Sequence, residues 1–356
     1  TIADDMAPFV DVNGDGLYQP IKGDYPDFPG EQALWWVFND NGPTHTETNG
    51  TPLKVEVHAM AYAFKRNTLI DYVVYYDYTM VNRSGHNYRD MRMALWNDAD
   101  MGFRDDDFVA YDSLRRLGIV YNGKNQDGFG HWDAYGYNPP AVGLTIVHMP
   151  GDVPGNYAPV GVLGYRYKYF IPPGSTPADV AFSNHMRGVR WSGESYGPFP
   201  DGFDECRNNM NPGERTVLLA TNDFLLPAGG RQKVVMALVV DSAAKGCPVF
   251  DITGIQRVAD TAWQLYHTQV GVPAVARGLA GLQLYPNPAQ GVLHIAGMMG
   301  GTTHVTVYNV LGQPMGPTVA VMGAEATIAV GHLPAGTYMV TASGVLGMAR
   351  AVFVKE

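Results

Sequence analysis

Residues 282–356 form a series of short segments in which apolar and polar side chains alternate, separated by glycine and proline. Alternation with a period of two places the apolar side chains on one face of a β-strand. Glycine and proline between such segments supply the backbone angles of tight turns. This stretch therefore predicts a small, self-contained, immunoglobulin-like β-sandwich.

The same alternation continues upstream. Strands are predicted at residues 33–38, 53–64, 69–81, 91–96, 142–148, 165–170, 216–221 and 232–240. The last two are predicted to form an antiparallel hairpin on one sheet. Only residues 253–269 show the helical spacing of apolar side chains, so a single late α-helix is expected.

Composition supports this mainly β interpretation. The 356 residues include 42 glycines, 25 prolines and 21 tyrosines, which favour turns and strands over helices. A chain of this length can bury more than one core. We expect a sandwich-like body at residues 1–271, a breaker-rich linker at 272–281 and the small terminal domain at 282–356.

The formal net charge of −10 argues against a nucleic-acid partner, whose phosphates require basic surfaces. No apolar run approaches the length of a transmembrane helix. Clustered aspartates in such a chain favour metal cations instead.

The first such cluster is the run Asp11-Val-Asn13-Gly-Asp15-Gly-Leu17. Side-chain oxygens at alternate positions, a glycine for the turn and a following backbone carbonyl are the first half of a calcium loop. Asp24 could close the site, although no helices flank the loop. The alternative interpretation is a plain pair of Asn-Gly and Asp-Gly turns.

The second cluster lies at residues 97–107, where six oxygen-bearing side chains occur within eleven residues. Such carboxylates repel one another unless a cation lies among them. The alternative is a solvated acidic loop. We predict structural calcium bound by residues of this set: Asp98, Asp100, Asp105, Asp106 and Asp107.

Only two cysteines occur, Cys206 and Cys247, too few for a disulfide framework. In an oxidising compartment they form one bridge, and otherwise they remain two buried thiols.

Four motifs follow one another within residues 282–356: Tyr285-Pro286-Asn287-Pro288, Tyr308-Asn309 with Gly312, Leu333-Pro334-Ala335-Gly336-Thr337-Tyr338, and Val352-Phe353-Val354-Lys355. In this order they resemble the type A C-terminal sorting domain of the type IX secretion system of Bacteroidetes-like bacteria. The resemblance implies export by the type IX translocon with its outer-membrane shuttle protein. It also implies cleavage, with release or attachment to surface lipopolysaccharide, and a secreted or outer-membrane-surface location.

The runs at residues 11–26, 32–42, 58–64, 97–112, 117–123 and 135–144 resemble the bodies of uncharacterised secreted proteins that carry such sorting domains. In those proteins a long stretch precedes this region, so we expect further sequence before Thr1. This resemblance does not imply any enzymatic reaction. Asp112-Ser113-Leu114 and Asp241-Ser242-Ala243 look like the O-glycosylation sites of these bacteria, with Ser113 and Ser242 as acceptors.

Motifs for a common zinc site are missing: the sequence contains no H-E-x-x-H or C-x-x-C, so no such site is indicated. A glycosidase pair could be drawn from the aspartates of residues 98–107. Crowded aspartates suit calcium better, because an acid and a base need different environments.

We therefore expect an exported cell-surface or extracellular structural or adhesive protein, with self-association as a further expectation. The alternative is a carbohydrate-binding module or a glycan-active hydrolase. Sugar stacking would use exposed members of a set of five tryptophans, whose other interpretation is burial in the core: Trp35, Trp36, Trp96, Trp132 and Trp191.

Overall fold

A computed structural model describes residues 7–46, 50–128, 130–152, 162–165, 178–187, 203–241, 247, 249, 251–270, 282–298, 302–309, 313–323, 325–344 and 347–356. The chain divides into two compact units. The first contains Glu31–Gln264, and the second combines Met6–Gly30 with Leu265–Glu356. The predicted linker at 272–281 lies outside the described residues.

The described chain is mainly β, as predicted. In chain order the strands are β1 (Phe9–Val10), β2 (Tyr25–Pro26), β3 (Gln32–Asn39), β4 (Val55–Ala63), β5 (Val73–Asn82), β6 (Tyr88–Met91), β7 (Ala94–Asn97), β8 (Asp107–Asp112), β9 (Leu117–Asn122), β10 (Ala141–His148), β11 (Val162–Tyr165), β12 (Phe203–Asp204), β13 (Thr216–Ala220), β14 (Phe224–Leu226), β15 (Arg231–Asp241), β16 (Gln283–Tyr285), β17 (Val292–Ala296), β18 (Thr302–Asn309), β19 (Val319–Met322), β20 (Glu325–Ala329), β21 (Gly336–Gly344) and β22 (Gly347–Lys355). The helices are α1 (Ala178–Met186) and α2 (Thr253–Leu265), with 3-10 turns at Pro20–Lys22, Leu69–Tyr72 and Arg104–Asp106 and a π-helical turn at Tyr266–Val270.

One antiparallel sheet dominates the first unit, in the order β12-β8-β9-β10-β15-β5-β4-β3. Its middle strands β9 and β10 are buried along almost their whole length. Strands covered on both faces read as continuous apolar runs rather than as alternating ones. The core on one face includes Met80, Leu144, Ile146, Val234 and Met236.

Helix α2 packs on the sheet of the first unit. Its apolar stripe of Ile255, Val258, Ala259 and Ala262 is buried, and the hydroxyl of Tyr75 on β5 donates to the Ala262 carbonyl at 2.7 Å. The prediction of a helix beginning at residue 253 is confirmed, with a change to π-helical geometry after residue 265. Helix α1 was not predicted, because its nine residues show little apolar periodicity.

The predicted hairpin of residues 216–221 and 232–240 is wrong. Strand β13 joins β11 and β7 in a separate three-stranded sheet, whereas β15 lies between β10 and β5. The connection itself contains a strand, β14, which pairs with β6. Pairing of the intervening residues elsewhere separates the two strands, a long-range choice that local alternation does not encode.

The second unit contains the sheets β16-β17-β20 and β19-β18-β21-β22 and the short pair β1-β2. The two larger sheets share one hydrophobic core, in which Leu293, Ile295, Val305, Val340 and Phe353 are almost completely buried. Apolar residues at every second position of these strands supply this core, as the alternation predicted.

In the same unit, Arg350 on β22 fixes the segment that follows β2. Its guanidinium donates to the carbonyls of Phe28 and Gly30, lies 3.8 Å from the Asp27 carboxylate and stacks 4.7 Å above the Phe28 ring. Residues at opposite ends of the sequence are therefore packed into one unit.

Candidate functional site

The N-terminal acidic loop folds around the side chain of Asp11. Its carboxylate oxygens accept the backbone N–H groups of Gly14 at 2.7 Å and Gly16 at 2.6 Å. These hydrogen bonds, the one from Gly16 foremost, hold the pKa of Asp11 below its usual range. Asp15 accepts the Leu17 N–H at 2.9 Å. The loop thus satisfies its carboxylates with its own backbone.

The remaining predicted ligands of this loop also have partners. Asn13 donates to Asp15 Oδ2 at 3.0 Å, and Lys22 Nζ lies 3.3 Å from the same oxygen. Asp24 is buried and accepts backbone N–H groups from both sides of the loop, including that of Gln19 at 2.7 Å. Asp24 therefore braces the base of the loop.

The second acidic loop, residues 98–107, leads from β7 to β8 and distributes its aspartates over different environments. Asp98, Asp100 and Asp105 are exposed. Asp98 accepts the Thr216 hydroxyl at 3.0 Å, and Asp105 lies 3.9 Å from Arg104. Although Asp100 is largely exposed, partial shielding of its carboxyl from solvent, followed by the neighbouring Asp98 carboxylate, raises its pKa.

Asp107, at the end of this loop, is only 1% exposed. Its Oδ2 atom accepts the Met101 N–H at 3.0 Å, whereas its Oδ1 atom has no hydrogen-bond partner in the described part of the chain. Burial, with the carboxylates of Asp106, Asp127 and Asp100, raises the pKa of Asp107 to about 8. A buried carboxylate oxygen without a hydrogen bond costs free energy.

Asp127 belongs to the same cluster although the sequence analysis did not single it out. The Asn122 amide donates to Asp106 Oδ1 at 2.7 Å and to Asp127 Oδ1 at 3.1 Å. Burial raises the pKa of Asp106, and Asp127 adds to the shift. Asp127 lies in an Asp-Gly pair that reads as an ordinary turn, so only the pairing of β8 with β9 reveals its position.

Among the described residues, no three Asp, Glu, His or Cys side chains are already arranged to hold a metal ion. The structure thus gathers the predicted calcium ligands into two neighbourhoods without assembling a complete coordination shell. Calcium at either loop stays a prediction.

Residues 131–137, between β9 and β10, expose three large aromatic side chains, and we name them the aromatic loop. The exposed fractions are 94% for Trp132, 58% for Tyr135 and 75% for Tyr137. Large aromatic rings usually contribute to a core because of their apolar area. Three exposed rings within six residues are therefore a candidate contact surface.

The aromatic loop is anchored to the acidic cluster. Asp127 Oδ2 accepts the Tyr135 N–H, and the Asp127 N–H donates to the Gly136 carbonyl at 2.9 Å. The ring of His131 stacks on that of Phe103, with centroids 3.7 Å apart. The backbone below the exposed rings is consequently held by hydrogen bonds to the buried residue Asp127.

The other predicted sugar-stacking tryptophans differ in exposure. Trp35 and Trp36 on β3 are partly buried, Trp96 is 41% exposed, and Trp191 lies outside the described residues. Trp132 is therefore the most exposed member of the set in the described part of the chain.

Cys206 and Cys247 form a disulfide with Cα atoms 5.7 Å apart. The Cys247 N–H donates to the carbonyl of Gly123 at 3.0 Å, and the Cys206 N–H donates to Asp204 at 2.7 Å. The bridge thus links β12 to the end of β9, where the chain enters the segment that carries Asp127. Of the two candidate glycosylation sites, Ser113 lies in the turn between β8 and β9, and Ser242 lies outside the described residues.

The terminal motifs meet on β22. The Asn287 amide donates to the Val352 carbonyl at 3.2 Å and its Oδ1 accepts the Val354 N–H at 2.8 Å. Tyr338 stacks on Phe353 with centroids 5.6 Å apart.

The remaining motif residues that the structure describes lie in the same unit. The Tyr338 hydroxyl donates to the Pro334 carbonyl at 2.9 Å, and Lys355 pairs with Gly336 in the sheet. Asn309 accepts the Gln313 N–H at 3.0 Å. Tyr285, Pro286, Pro288 and Leu333 belong to the same unit, and Gly312 lies outside the described residues.

Residues 283–351 match the family model of the secretion system C-terminal sorting domain. The expected sorting domain is thereby confirmed. None of the curated proteins compared with the chain matches it.

Two solved structures show distant likeness. A polysaccharide lyase is 8% identical, with a TM-score of 0.26, over 84% of this chain and 34% of its own length. The chain thus spans about a third of that lyase. The BSP domain of a biofilm-associated protein is 9% identical, with a TM-score of 0.20, over 94% of this chain and 84% of its own.

A helix long and apolar enough to cross a membrane does not occur among the described residues. The sorting domain implies interaction with the type IX secretion system. The protein carries a type IX C-terminal sorting domain and is secreted, with a cell-surface or extracellular location.

Proposed function

We propose that this chain is an exported structural or adhesive protein whose body contacts its target through the aromatic loop. The observation that carries the proposal is the exposure of Trp132, Tyr135 and Tyr137 on one anchored loop. The sorting domain supplies the extracellular address, and the body supplies the contact surface.

The loop suits adhesion for two physical reasons. Exposed aromatic rings offer large apolar area that gains free energy when a partner covers it. The hydrogen bonds of Asp127 to Tyr135 and Gly136 hold the loop before contact, which lowers the entropy lost on binding.

Adhesion is tested by measuring retention of the purified chain on cell-surface material, with Trp132→Ala and Tyr137→Ala combined in one variant. We expect retention to fall at least about tenfold, because each lost ring contact contributes on the order of 1 kcal/mol. Tyr72→Ala, at a 52% exposed tyrosine on another segment of the first unit, is the control and should bind like the unmodified chain. Unchanged retention in the double variant would refute the adhesive role of the loop.

Carbohydrate binding is the second candidate, favoured by the 94% exposure of Trp132. A sugar ring stacks on an indole through its C–H groups, and polar groups beside it fix the orientation. The exposed Asp133 next to Trp132 and the net charge of −10 favour a neutral saccharide over an acidic one. A glycan array distinguishes this candidate: binding to neutral glycans that disappears in Trp132→Ala supports it.

A glycan-active hydrolase would draw two carboxylates from the second acidic loop. Release of reducing ends from a bound glycan, abolished by substitution of Asp100, would support that activity. Binding without release would leave the chain a binding module.

The sorting domain also suggests two specific binding partners. We propose that the outer-membrane shuttle protein of the type IX system receives this domain, and that surface lipopolysaccharide is the attachment point after cleavage. Mass spectrometry of the exported protein tests this: a mature end before residue 282 carrying a lipopolysaccharide fragment is expected.

We also propose structural calcium at the two acidic loops. The Oδ1 atom of Asp107, which has no hydrogen-bond partner among the described residues, supports the second site. The alternating oxygens of Asp11, Asn13 and Asp15 support the first. A cation that binds only the folded chain raises its stability. Calorimetry with calcium and with EDTA should therefore show a higher Tm with calcium, and equal melting temperatures would refute both sites.

A further inference from the structure

Strand β3 forms one end of the eight-stranded sheet. It pairs with β4 from Gln32 opposite Ala63 to Asn39 opposite Glu56. On its other side the sheet ends in the described part of the chain. An edge of this kind presents a row of backbone donors and acceptors to any further strand.

The register identifies which backbone groups face outward. The Asp40 N–H donates to the Val55 carbonyl at 3.2 Å, continuing the register of Asn39 opposite Glu56. In an antiparallel ladder, hydrogen-bonded residues alternate with residues whose backbone groups point to the other side. Even-numbered residues therefore bind β4, and residues 33, 35, 37 and 39 direct their N–H and C=O groups to the free edge.

This edge lacks the usual protection against pairing. Natural edge strands are interrupted by charges, proline or bulges. The eight residues of β3, QALWWVFN, contain no charged residue, no proline and no glycine. Leu34 is 65% exposed and Phe38 is 46% exposed, both on the same face of the strand.

We propose that β3 is a self-association edge, at which β3 of a second copy adds in antiparallel orientation about a twofold axis. The two eight-stranded sheets then become one continuous sheet. This interaction is independent of the aromatic loop and of its target.

Symmetry restricts the register of this pairing. A twofold axis normal to the sheet preserves its faces, so opposite residues must share the same parity. Pairing Trp36 with Trp36 of the second copy places Leu34 opposite Phe38 and Trp35 opposite Val37. The outward groups of residues 33 and 35 then meet those of residues 39 and 37. Aromatic and aliphatic side chains placed opposite each other across strands are stabilising pairs.

Charge restricts where two copies of the chain can meet. Copies with a formal net charge of −10 repel one another over most of their surfaces. An uncharged strand is a place where two copies can approach without opposing like charges, and an identical strand is uncharged by construction. An isologous contact also closes after two copies and does not propagate into a filament.

Cysteine crosslinking of the full chain tests the edge and its register together. Residues opposite each other in a pair without hydrogen bonds have Cα atoms about 4.5 Å apart, within disulfide range. Under mild oxidation we expect Trp36→Cys to form a disulfide-linked dimer. Leu34→Cys and Phe38→Cys should crosslink when the two variants are mixed, but not singly. Leu114→Cys, at an 89% exposed position in the turn between β8 and β9, is the control for random collision.

Light scattering supplies a readout that does not depend on a substitution at the partly buried Trp36. The unmodified chain should show the mass of a dimer, Leu34→Lys should shift it to the mass of a monomer, and Leu114→Lys should leave the dimer intact. A monomeric unmodified chain, a dimer that survives Leu34→Lys, or crosslinking through Leu114→Cys as efficient as through Trp36→Cys would overturn the proposal.

Discussion

The two acidic loops have similar composition and the same predicted ligand, yet the structure gives them different environments. Asp11 in the N-terminal loop lies at the surface with both oxygens bound by its own loop. Asp107 in the second loop is buried, with one oxygen unpartnered in the described residues. The pKa of Asp11 is lowered and that of Asp107 is raised. Identical side chains thus acquire opposite proton affinities from local hydrogen bonding and from burial.

The difference extends to what supports each loop. The N-terminal loop is supported by an exposed ion pair between Lys22 and Asp15. The second loop leads into β8, whose Val109 N–H donates to Glu205 at 2.9 Å, and Glu205 binds the fully buried Arg215 at 2.6 Å. Buried networks are costly to break, whereas exposed pairs contribute little.

The largest effect is expected for Arg215→Ala. Removing this cation leaves the buried carboxylate of Glu205 without its counter-ion, which should lower the free energy of unfolding by about 3–5 kcal/mol. Denaturant unfolding measures the change. Arg207→Ala removes the exposed partner of Asp204 and should have little effect. An equal loss in both variants would show that the burial contrast does not decide stability.

Asp127→Ala should have the next largest effect. It removes the acceptor of the partly buried N–H groups of Phe103 and Tyr135, and donors that lose their acceptor in this way cost about 1–3 kcal/mol. Amide exchange across residues 131–137 should accelerate, because the loop loses its anchor. Asp133→Ala, at an exposed position of the same loop, should leave that exchange unchanged. Slow exchange in Asp127→Ala would contradict the anchoring role.

The effect of Asp107→Asn on the free energy of unfolding should depend on pH and on calcium. In EDTA, the folded chain holds a proton on Asp107 up to about pH 8, whereas the unfolded chain releases it near pH 3.8. The folded state binds more protons in this window, so stability falls as pH rises through it. Asparagine cannot ionise, and the variant should be about 1–3 kcal/mol more stable than the unmodified chain at pH 9.

The exposed Asp105→Asn provides the matched control and should follow the unmodified chain at every pH. With calcium present, the advantage of Asp107→Asn should disappear if the ion binds this carboxylate. A flat pH profile of the unmodified chain in EDTA would show that Asp107 is not held protonated by its surroundings.

The smallest effect is expected in the N-terminal loop. Lys22→Ala breaks the exposed pair with Asp15 and should change the free energy of unfolding by about 0.5 kcal/mol or less. Thermal unfolding at low and high salt measures it, since screening should remove even this difference. A loss of stability as large as that in Arg215→Ala would show that the exposed ion pair supports its loop as strongly as the buried one does.

Local spacing of residues accounts for one part of the fold. The sorting motifs, the β character and the start of helix α2 depend on such spacing, and all were predicted. Helix α1 was missed because its short sequence lacks periodicity. The pairing of residues 216–220 was wrong because β14 is recruited by a distant strand, β6.

The candidate sites, too, were only partly predictable from local sequence. Trp132 was one of five tryptophans until its exposure separated it from Trp35 and Trp36. Asp127 was not predicted because an Asp-Gly pair is typical of a turn. The Asn122 amide that it shares with Asp106 is placed by the pairing of β8 with β9. The free edge of β3 also became visible only when the order of strands was known.

Short-range pattern therefore determines the export address and the strand-rich character of the chain, since both are carried by residues within a few positions of one another. Long-range packing decides the rest. It buries Asp107, exposes Trp132, leaves β3 at an edge and joins residues 6–30 to the C-terminal unit. The physical reason is that burial and strand order depend on which distant segments meet. Burial in turn sets the proton affinity of a carboxylate and the exposed area of an aromatic ring. Strand order sets which backbone N–H and C=O groups lie at the edge of a sheet.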